Sequence, residues 1–284
     1  MINKVVRKSM IIRDSGRSTD FISPSFGFGC LYECAYCYLK RHKTSGLDVA
    51  TNTMEILTAI NNHVLFAEVE KPNQTHESYI TYDISCNEDF AFHAKYHNWR
   101  AIFDFFKQHP RAMGSFATKY VNKNLLAYDP NFKIRIRFSL MPQNISDLLE
   151  PKTSKILDRI KAIDTFINAG YDVHINFSPV VVYDNWLKDY KLLFELVNEH
   201  VTHKNKVKCE VIFLTHNKEK HLVNLANNTQ GEHLLWNQHL QEPKTSQYGG
   251  HNVRYKHTLK AEFIRQWLEL HSEIIPWNQV RYIF

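Results

Sequence analysis

The chain has 284 residues, of which 44% are hydrophobic and 23% charged, fractions that are typical of a soluble globular protein. Only nine glycines and nine prolines occur, which excludes collagen-like and low-complexity proteins, and apolar runs such as residues 180–183 are far shorter than the ~20 residues of a membrane span. The net charge of +6 is compatible with a polyanionic partner without indicating one. Because the N-terminus lacks the apolar segment of a secretory signal, we expect a cytoplasmic protein with no membrane partner.

Strand and helix patterns alternate along most of the chain. In chain order, periodicity predicts a strand before Cys30, a helix over residues 53–66, a strand over 79–84, a helix over 99–108, a strand over 115–119, a short helix through 125 and 126, a strand over 133–138, a helix over 156–167, a strand over 173–177, a helix over 186–197, a strand over 207–214 and a helix over 218–227. Thr153 or Ser154 is the expected N-cap of the helix that starts at residue 156, and Gly170 is its expected end.

The segment after residue 230 has a different pattern. Residues 241–256 are polar and contain Gly249-Gly250, which predicts a hairpin, and a helix over 259–271 and a strand over 280–284 follow. Alternating strand–helix units imply a parallel sheet covered by helices, and six units fit a partial (β/α)6 barrel of the TIM type. We therefore predict an α/β fold with a barrel core over residues 1–230. A C-terminal hairpin and helix extension over residues 231–284 packs on it.

The cysteines give the clearest chemical signal. Three of the five, Cys30, Cys34 and Cys37, lie within eight residues, which is unlike the spacing of a secreted disulfide framework. Thiolates are the usual ligands of iron–sulfur clusters, and three of them leave one iron of a 4Fe–4S cluster open to an external ligand. Gly27 and Gly29 would let the backbone approach such a cluster closely.

A zinc site is the alternative use of these cysteines. His42 could complete a tetrahedral site with the three thiolates, which would make the chain a non-catalytic, zinc-bearing nucleic-acid-binding module. No second Cys/His pair follows at the spacing usual for structural zinc, so the pattern favours the cluster.

The spacing of the three cysteines resembles that of the radical S-adenosylmethionine superfamily, and within it the chain resembles the spore photoproduct lyase family. The resemblance extends well beyond the cysteines, over roughly residues 20–284. The similar stretches, in order, are residues 29–39, 85–89, 118–119, 137–139, 150–154, 169–171, 178–179 and 248–249.

This resemblance implies the cofactors and the residues that hold them. The three clustered cysteines would bind a 4Fe–4S cluster, whose open iron binds S-adenosylmethionine. Tyr38, Lys119 and Ser139 would lie near this cofactor, with Lys119 paired to its carboxylate. Asn87 and Glu88 depart from the family, which has hydroxyl residues there, and the Glu88 carboxylate is suited to accept a hydrogen bond from the cofactor's amino group.

The resemblance also implies a reaction. An external electron donor reduces the cluster, a 5′-deoxyadenosyl radical abstracts hydrogen from a thymine dimer in DNA, and Cys86 returns hydrogen to the product radical with the help of Tyr38. Tyr248, Arg254 and Lys256 in the predicted hairpin are the expected contacts to nucleic acid. The same radical chemistry on another nucleotide or a small molecule is the alternative within the enzyme class.

Two further patterns are interpreted as structural. His93 and His97 are four residues apart, but no third ligand accompanies them, so they are expected to be ordinary surface histidines. Cys209 lies in an apolar strand and is expected in the core.

Overall fold

The computed structural model describes residues 1–43, 45–67, 75–245 and 250–284, with the backbone alone at positions 41 and 42. The strands are β1 (Ile2–Val5), β2 (Arg13–Asp14), β3 (Phe21–Ile22), β4 (Gly27–Gly29), β5 (Leu47–Ala50), β6 (Ile80–Asp83), β7 (Ala112–Thr118), β8 (Ile134–Ser139), β9 (Asp172–Val180), β10 (Lys208–Phe213), β11 (Thr215–Asn217), β12 (Gln241–Thr245), β13 (His251–Tyr255) and β14 (Gln279–Ile283).

The α-helices are α1 (Leu39–His42), α2 (Thr53–Phe66), α3 (Phe90–His93), α4 (Trp99–Gln108), α5 (Gln143–Leu149), α6 (Ile156–Asn168), α7 (Trp186–His200), α8 (Lys218–Ala226), α9 (Glu232–Leu235) and α10 (His257–Ile274). The short helix predicted through residues 125 and 126 is a 3-10 helix, Lys123–Ala127. Among the described residues, no helix has the length and apolarity that crossing a membrane requires.

Eight strands of the described residues form the main sheet, in the order β14-β10-β9-β8-β7-β6-β3-β2. The strands β3, β6, β7 and β8 pair in parallel, and so do β9, β10 and β14. Helices lie between the successive parallel strands of the main sheet, β3, β6, β7, β8, β9, β10 and β14, as in a TIM-type barrel. This arrangement confirms the predicted α/β class and partial barrel.

Strand pairing adds detail that the periodicity did not contain. Four described strands precede Cys30 where one was predicted. Of these, β2 and β3 belong to the main sheet, whereas β1 and β4 pair with β5 in a separate sheet of order β1-β5-β4, in which β4 is antiparallel to β5. At the other end of the chain, β14 pairs in parallel with β10, so the C-terminal segment contributes a strand to the main sheet. The division of the chain at residue 230 stays a prediction.

The predicted hairpin is confirmed by the antiparallel pair β12 and β13, which β11 extends to three strands. Its tip, residues 246–249 with Tyr248, lies outside the described residues. Gly170 ends α6 as predicted, with a φ of +90°. The N–H of Ile156 at the start of α6 donates to Gln143 Oε1 at 2.7 Å. The Gln143 side chain of α5 thus provides an acceptor for one of the N–H groups that have no partner within α6.

Two compact units divide the chain: the first comprises Met1–Leu31, Ser45–Phe138 and Ala162–His174, and the second Tyr32–Thr44, Ser139–Lys161 and Ile175–Phe284. An aromatic cluster forms much of the first unit's core, where the fully buried Phe103 of α4 packs on Phe90, Phe116 and Tyr171 with ring centroids 5.9–6.3 Å apart. In the second unit, Phe194 of α7 and Phe177 of β9 pack on Trp267 of α10 at 5.2 and 5.3 Å.

Replacing Phe103 tests the first unit's core. Phe103→Ala is expected to lower the free energy of unfolding by about 3–5 kcal/mol, because it removes a fully buried ring and leaves a cavity. Urea unfolding followed by circular dichroism measures the loss. Phe105→Ala, at a half-buried position in the same helix, is the matched control and should cost clearly less. Equal losses would contradict the role given to Phe103.

Candidate functional site

The first unit contains Cys30, Cys86, Glu88 and Lys119. The strand β4 leads directly into Cys30, and Gly29 adopts a φ of +103°, a conformation that favours glycine. The Gly29 N–H donates to the carbonyl of Asn87 at 3.0 Å, which joins the approach to Cys30 to the loop that carries Cys86. A Cβ on Gly27 would clash with the carboxylate of Glu88, so a larger residue at this position would displace Glu88.

The loop with Cys86 follows the end of β6 and is held by a buried ion pair. Arg137 donates to Asp83 Oδ2 at 2.7 Å and to Ser115 Oγ at 3.1 Å, and the other oxygen of Asp83 accepts the N–H of Ser85 at 2.8 Å. The basic side of β8 is therefore buried and fixes this loop. The half-buried Cys86 is one residue further along.

Asp89 connects the Cys86 loop to the end of β7. Its carboxylate accepts hydrogen bonds from the hydroxyl of Thr118 at 2.6 Å and from the N–H of Lys119 at 2.8 Å. It also caps α3 by accepting the N–H of Phe92 at 3.2 Å. The backbone of Lys119 is thus fixed relative to Cys86 by one carboxylate, and the Lys119 side chain is half-buried.

Glu88 lies between two histidines, and this corrects the expectation for His93 and His97. Glu88 Oε2 is 3.1 Å from His93 Nδ1 and 2.8 Å from His97 Nε2, and the three side chains are 0%, 0% and 2% exposed. They are buried residues and not surface histidines. The expectation rested on the lack of a third group beside the two histidines, and it failed because their common partner, Glu88, comes from the preceding loop.

His93 also contacts the loop over residues 30–37 that carries the three cysteines, which we call the cysteine loop. The N–H of Leu31, next to Cys30, donates to His93 Nε2 at 3.3 Å, so His93 carries its proton on Nδ1 and donates it to Glu88. Burial alone would raise the pKa of Glu88, but His97 and His93 lower it below its usual value. Glu88 Oε1 is buried and has no hydrogen-bond partner among the described residues.

The second unit contains Cys34, Cys37, Tyr38 and Ser139. The Tyr36 hydroxyl, between the two cysteines, donates to Glu150 Oε1, and Glu150 pairs with Arg159 at 2.9 Å. Burial, reinforced by Glu150, raises the pKa of Tyr36 well above its usual value. Arg159 in turn donates to the carbonyl of Ser139 at 2.8 Å.

Further bonds fix the loop between Cys34 and Cys37. The N–H of Ala35 donates to the Leu149 carbonyl, and the Ala35 carbonyl accepts from Asn224 Nδ2 of α8, each at 2.8 Å. Cys34 is buried and Cys37 is half-buried. Tyr38 follows directly and is 53% exposed.

Ser139 and Lys220 complete the polar surroundings in this unit. Ser139 is buried at the end of β8, where its hydroxyl accepts from Asn176 Nδ2 at 3.5 Å. Burial lowers the pKa of Lys220, while the nearby Cys37 and Glu33 act in the opposite direction. The buried amine of Lys220 therefore lies close to Cys37 in the cysteine loop.

The hairpin residues predicted to contact nucleic acid have partners within the protein. Arg254 pairs with Glu242 at 2.9 Å, and Lys256 Nζ donates to the carbonyl of His239 at 2.8 Å. The Arg254 side chain is 42% exposed. Their contact with nucleic acid stays a prediction.

Several residues that shape the site received no role from the sequence. Asp89 and Glu150 lie within stretches that carry the family resemblance, whereas Arg159 gives no local signal because it lies on a helix with an ordinary amphipathic pattern. Cys209 is fully buried, as expected, and burial raises its pKa.

A family model described as spore photoproduct lyase matches residues 2–284. Among curated proteins, the spore photoproduct lyase of Clostridium acetobutylicum is 30% identical over 199 residues, which are 68% of this chain and 56% of that protein. The spore photoproduct lyase of Bacillus subtilis is 27% identical over 194 residues, which are 67% of this chain and 54% of that protein. The chain thus spans little more than half the length of these relatives.

Solved structures share the fold. A spore photoproduct lyase complexed with dinucleoside spore photoproduct has a TM-score of 0.88 at 20% identity, over 100% of this chain and 82% of that one. A mutant of spore photoproduct lyase with bound S-adenosylmethionine and dinucleoside spore photoproduct has a TM-score of 0.87 at 19% identity, with the same coverage.

The buried Glu88 gives a pH-dependent prediction. Because its folded pKa is lowered, its ionised form stabilises the fold near neutral pH, and this contribution is lost as the pH falls. Glu88→Gln is expected to cost about 1–3 kcal/mol at neutral pH, and the difference from wild type should shrink below about pH 4.5.

Thermal or urea unfolding at several pH values measures this difference. Glu77→Gln, at an exposed position, is the control and should change little at any pH. A constant difference between wild type and Glu88→Gln across the pH range would contradict the prediction.

Proposed function

The chain belongs to the spore photoproduct lyase family, and on that premise we propose that it is a radical S-adenosylmethionine enzyme that repairs thymine dimers of the spore photoproduct type. The observation that carries this proposal is the family match over residues 2–284, which includes Cys30, Cys34 and Cys37 at their spacing.

The chain's own residues fit a 4Fe–4S cluster. The three cysteines are free of disulfides, as cluster ligands must be. The positive φ of Gly29 supports close backbone approach beside Cys30, and the missing side chain at Gly27 leaves room for the Glu88 carboxylate. The anchored carbonyl and N–H of Ala35 support a rigid loop between Cys34 and Cys37.

Other residues fit S-adenosylmethionine. Lys119 supplies a cation for the cofactor's carboxylate, at the C-terminal end of a barrel strand, where active sites of this architecture collect. Glu88 Oε1, a buried acceptor without a partner among the described residues, suits the amino group. Ser139 and Tyr38 are the remaining proposed contacts.

When bound and reduced by an external electron donor, this cofactor pair supplies a 5′-deoxyadenosyl radical that abstracts a hydrogen atom. The protein's proposed task is then to control the substrate radical. Cys86 donates the hydrogen atom of its thiol to the product radical, and Tyr38 helps to restore the thiol. Two bonds hold the Cys86 loop for this task, from Ser85 to Asp83 and from Gly29 to Asn87.

The proposed substrate is DNA that contains the lesion. Relatives of the same fold are solved with dinucleoside spore photoproduct, which supports a nucleotide substrate here. Tyr248, Arg254 and Lys256 are proposed to contact its backbone, in which case Arg254 and Lys256 exchange their internal partners for phosphates. Thiolate chemistry needs a reducing compartment, which supports the predicted cytoplasmic location.

The cysteine ligands are tested one at a time. Cys30→Ala, Cys34→Ala and Cys37→Ala should each abolish the iron–sulfur absorption or the cleavage of S-adenosylmethionine after anaerobic reconstitution, because an under-ligated cluster is lost or unreactive. Cys209→Ala, a buried cysteine in a strand, is the control and should retain both. Full cofactor cleavage in all three variants, or a colourless wild type without iron and sulfide, would overturn the proposal.

The role of Cys86 is tested through the products. Cofactor cleavage does not need a thiol at position 86, whereas returning hydrogen to the product radical does. Cys86→Ala should therefore still form 5′-deoxyadenosine with a dinucleoside spore photoproduct, and give less repaired product and more misquenched adducts. Wild-type products at wild-type yield would remove Cys86 from the mechanism.

A further inference from the structure

A second group of metal-ligating side chains lies in the second unit, outside the residues used above. It consists of His216 on β11, His221 on α8 and Glu232 on α9, which we call the His-Glu triad. One ligand atom from each of the three lies within 4.8 Å of the other two. Three short elements therefore bring two imidazoles and a carboxylate to one point.

The two histidines converge on the same oxygen atom. Glu232 Oε1 is 2.9 Å from His216 Nε2 and 2.6 Å from His221 Nδ1. The side chains of His216, Glu232 and His221 are 0%, 7% and 16% exposed, so the site is largely enclosed and His221 is its most accessible member.

Neighbouring side chains hold the triad in this arrangement. Asn224 Nδ2 donates to the other oxygen of Glu232, which orients the carboxylate. Trp236 stacks on the His221 ring, with centroids 4.2 Å apart and an interplanar angle of 12°. Support of this kind around the ligands is what metal sites use to orient them.

The triad differs from the other cluster of one glutamate and two histidines in a decisive respect. In that cluster, His93 Nε2 accepts the N–H of Leu31, so the proton stays on the nitrogen that faces Glu88 and that nitrogen has no free lone pair. In the triad, His216 Nδ1 has no hydrogen-bond partner among the described residues. The His216 proton can therefore move from Nε2, which faces Glu232 Oε1, to Nδ1, and Nε2 can then present its lone pair to an ion.

We propose that His216 Nε2, His221 Nδ1 and Glu232 Oε1 bind one divalent transition-metal ion of the Zn²⁺ class. Two imidazole nitrogens and a carboxylate oxygen are a usual ligand set for Zn²⁺, and water completes the tetrahedron where three protein ligands are present. The site is separate from Cys30, Cys34 and Cys37 and does not rest on the proposed radical chemistry.

The contacts of Asn224 indicate what the ion does. Asn224 Nδ2 donates both to Glu232 and to the carbonyl of Ala35, between Cys34 and Cys37. An ion that fixes Glu232 therefore also fixes Asn224 and, through it, the cysteine loop. The triad serves as a structural clamp, and its metal takes no part in the reaction.

The test is a titration of the cluster-loaded full chain with Co²⁺, a spectroscopic substitute for Zn²⁺, followed by displacement with Zn²⁺. We expect one equivalent of Co²⁺ with d–d absorption, no sulfur-to-cobalt charge-transfer band, and a melting temperature that Zn²⁺ raises and a chelator lowers. His221→Ala should weaken binding by at least about tenfold and remove the Zn²⁺ effect on melting. His233→Ala, at an exposed histidine next to Glu232, is the matched control and should bind as wild type does.

Two outcomes would overturn the proposal: no binding by the wild type, or equal binding by wild type and His221→Ala. A charge-transfer band would place the ion on cysteine and count against the triad. If His221→Ala does not fold by circular dichroism, Glu232→Gln, which keeps the shape of the side chain, replaces it with the same expectation. The difference between wild type and His221→Ala does not depend on the cluster, and an ion bound by cysteines that lack a cluster is recognised by its charge-transfer band, so this test and that of the proposed function fail independently.

Discussion

The Glu150–Arg159 ion pair is completely buried, and the position of the loop with Cys34 and Cys37 in the second unit depends on it. Burying two charges costs several kcal/mol per ion unless nearly every polar atom of the pair finds a hydrogen-bond partner. Two hydrogen-bond partners of this pair lie in different segments. Glu150 accepts from the Tyr36 hydroxyl in the cysteine loop, and Arg159 donates to the carbonyl of Ser139 at the end of β8. Satisfying the pair therefore fixes the cysteine loop and the end of β8 together.

In the first unit, three carboxylates meet the same requirement that buried polar groups be paired. Loops at the ends of parallel strands leave N–H groups without a sheet partner, and buried N–H groups must find acceptors. Asp83 accepts from Ser85, Asp89 accepts from Lys119, and Glu88 reaches the N–H of Leu31 through a histidine. The three carboxylates therefore hold the backbone of the loops that carry Cys86 and Lys119.

The histidines show where local patterns mislead. A spacing of four residues with no third ligand predicted surface positions for His93 and His97, yet both are buried against Glu88. His93 ends α3, which is only four residues long, and His97 follows a 3-10 helix of three residues, so no amphipathic pattern is long enough to reveal their buried side. Cys209 was predictable because it lies within an apolar strand, where burial follows from the neighbouring residues themselves.

The alternation of strands and helices in the barrel core, the hairpin and the spacing of the three cysteines follow from the sequence by itself, because periodicity, turn residues and ligand spacing depend on residues close together in the chain. Only the tertiary structure decided which carboxylate holds which loop, and that β14 pairs with β10 while β4 leaves the main sheet. Asp89 and Lys119 are 30 residues apart, and Tyr36 and Glu150 are 114 apart. Such contacts form because buried polar groups must be paired once the strands have packed, and a local pattern contains no record of that pairing.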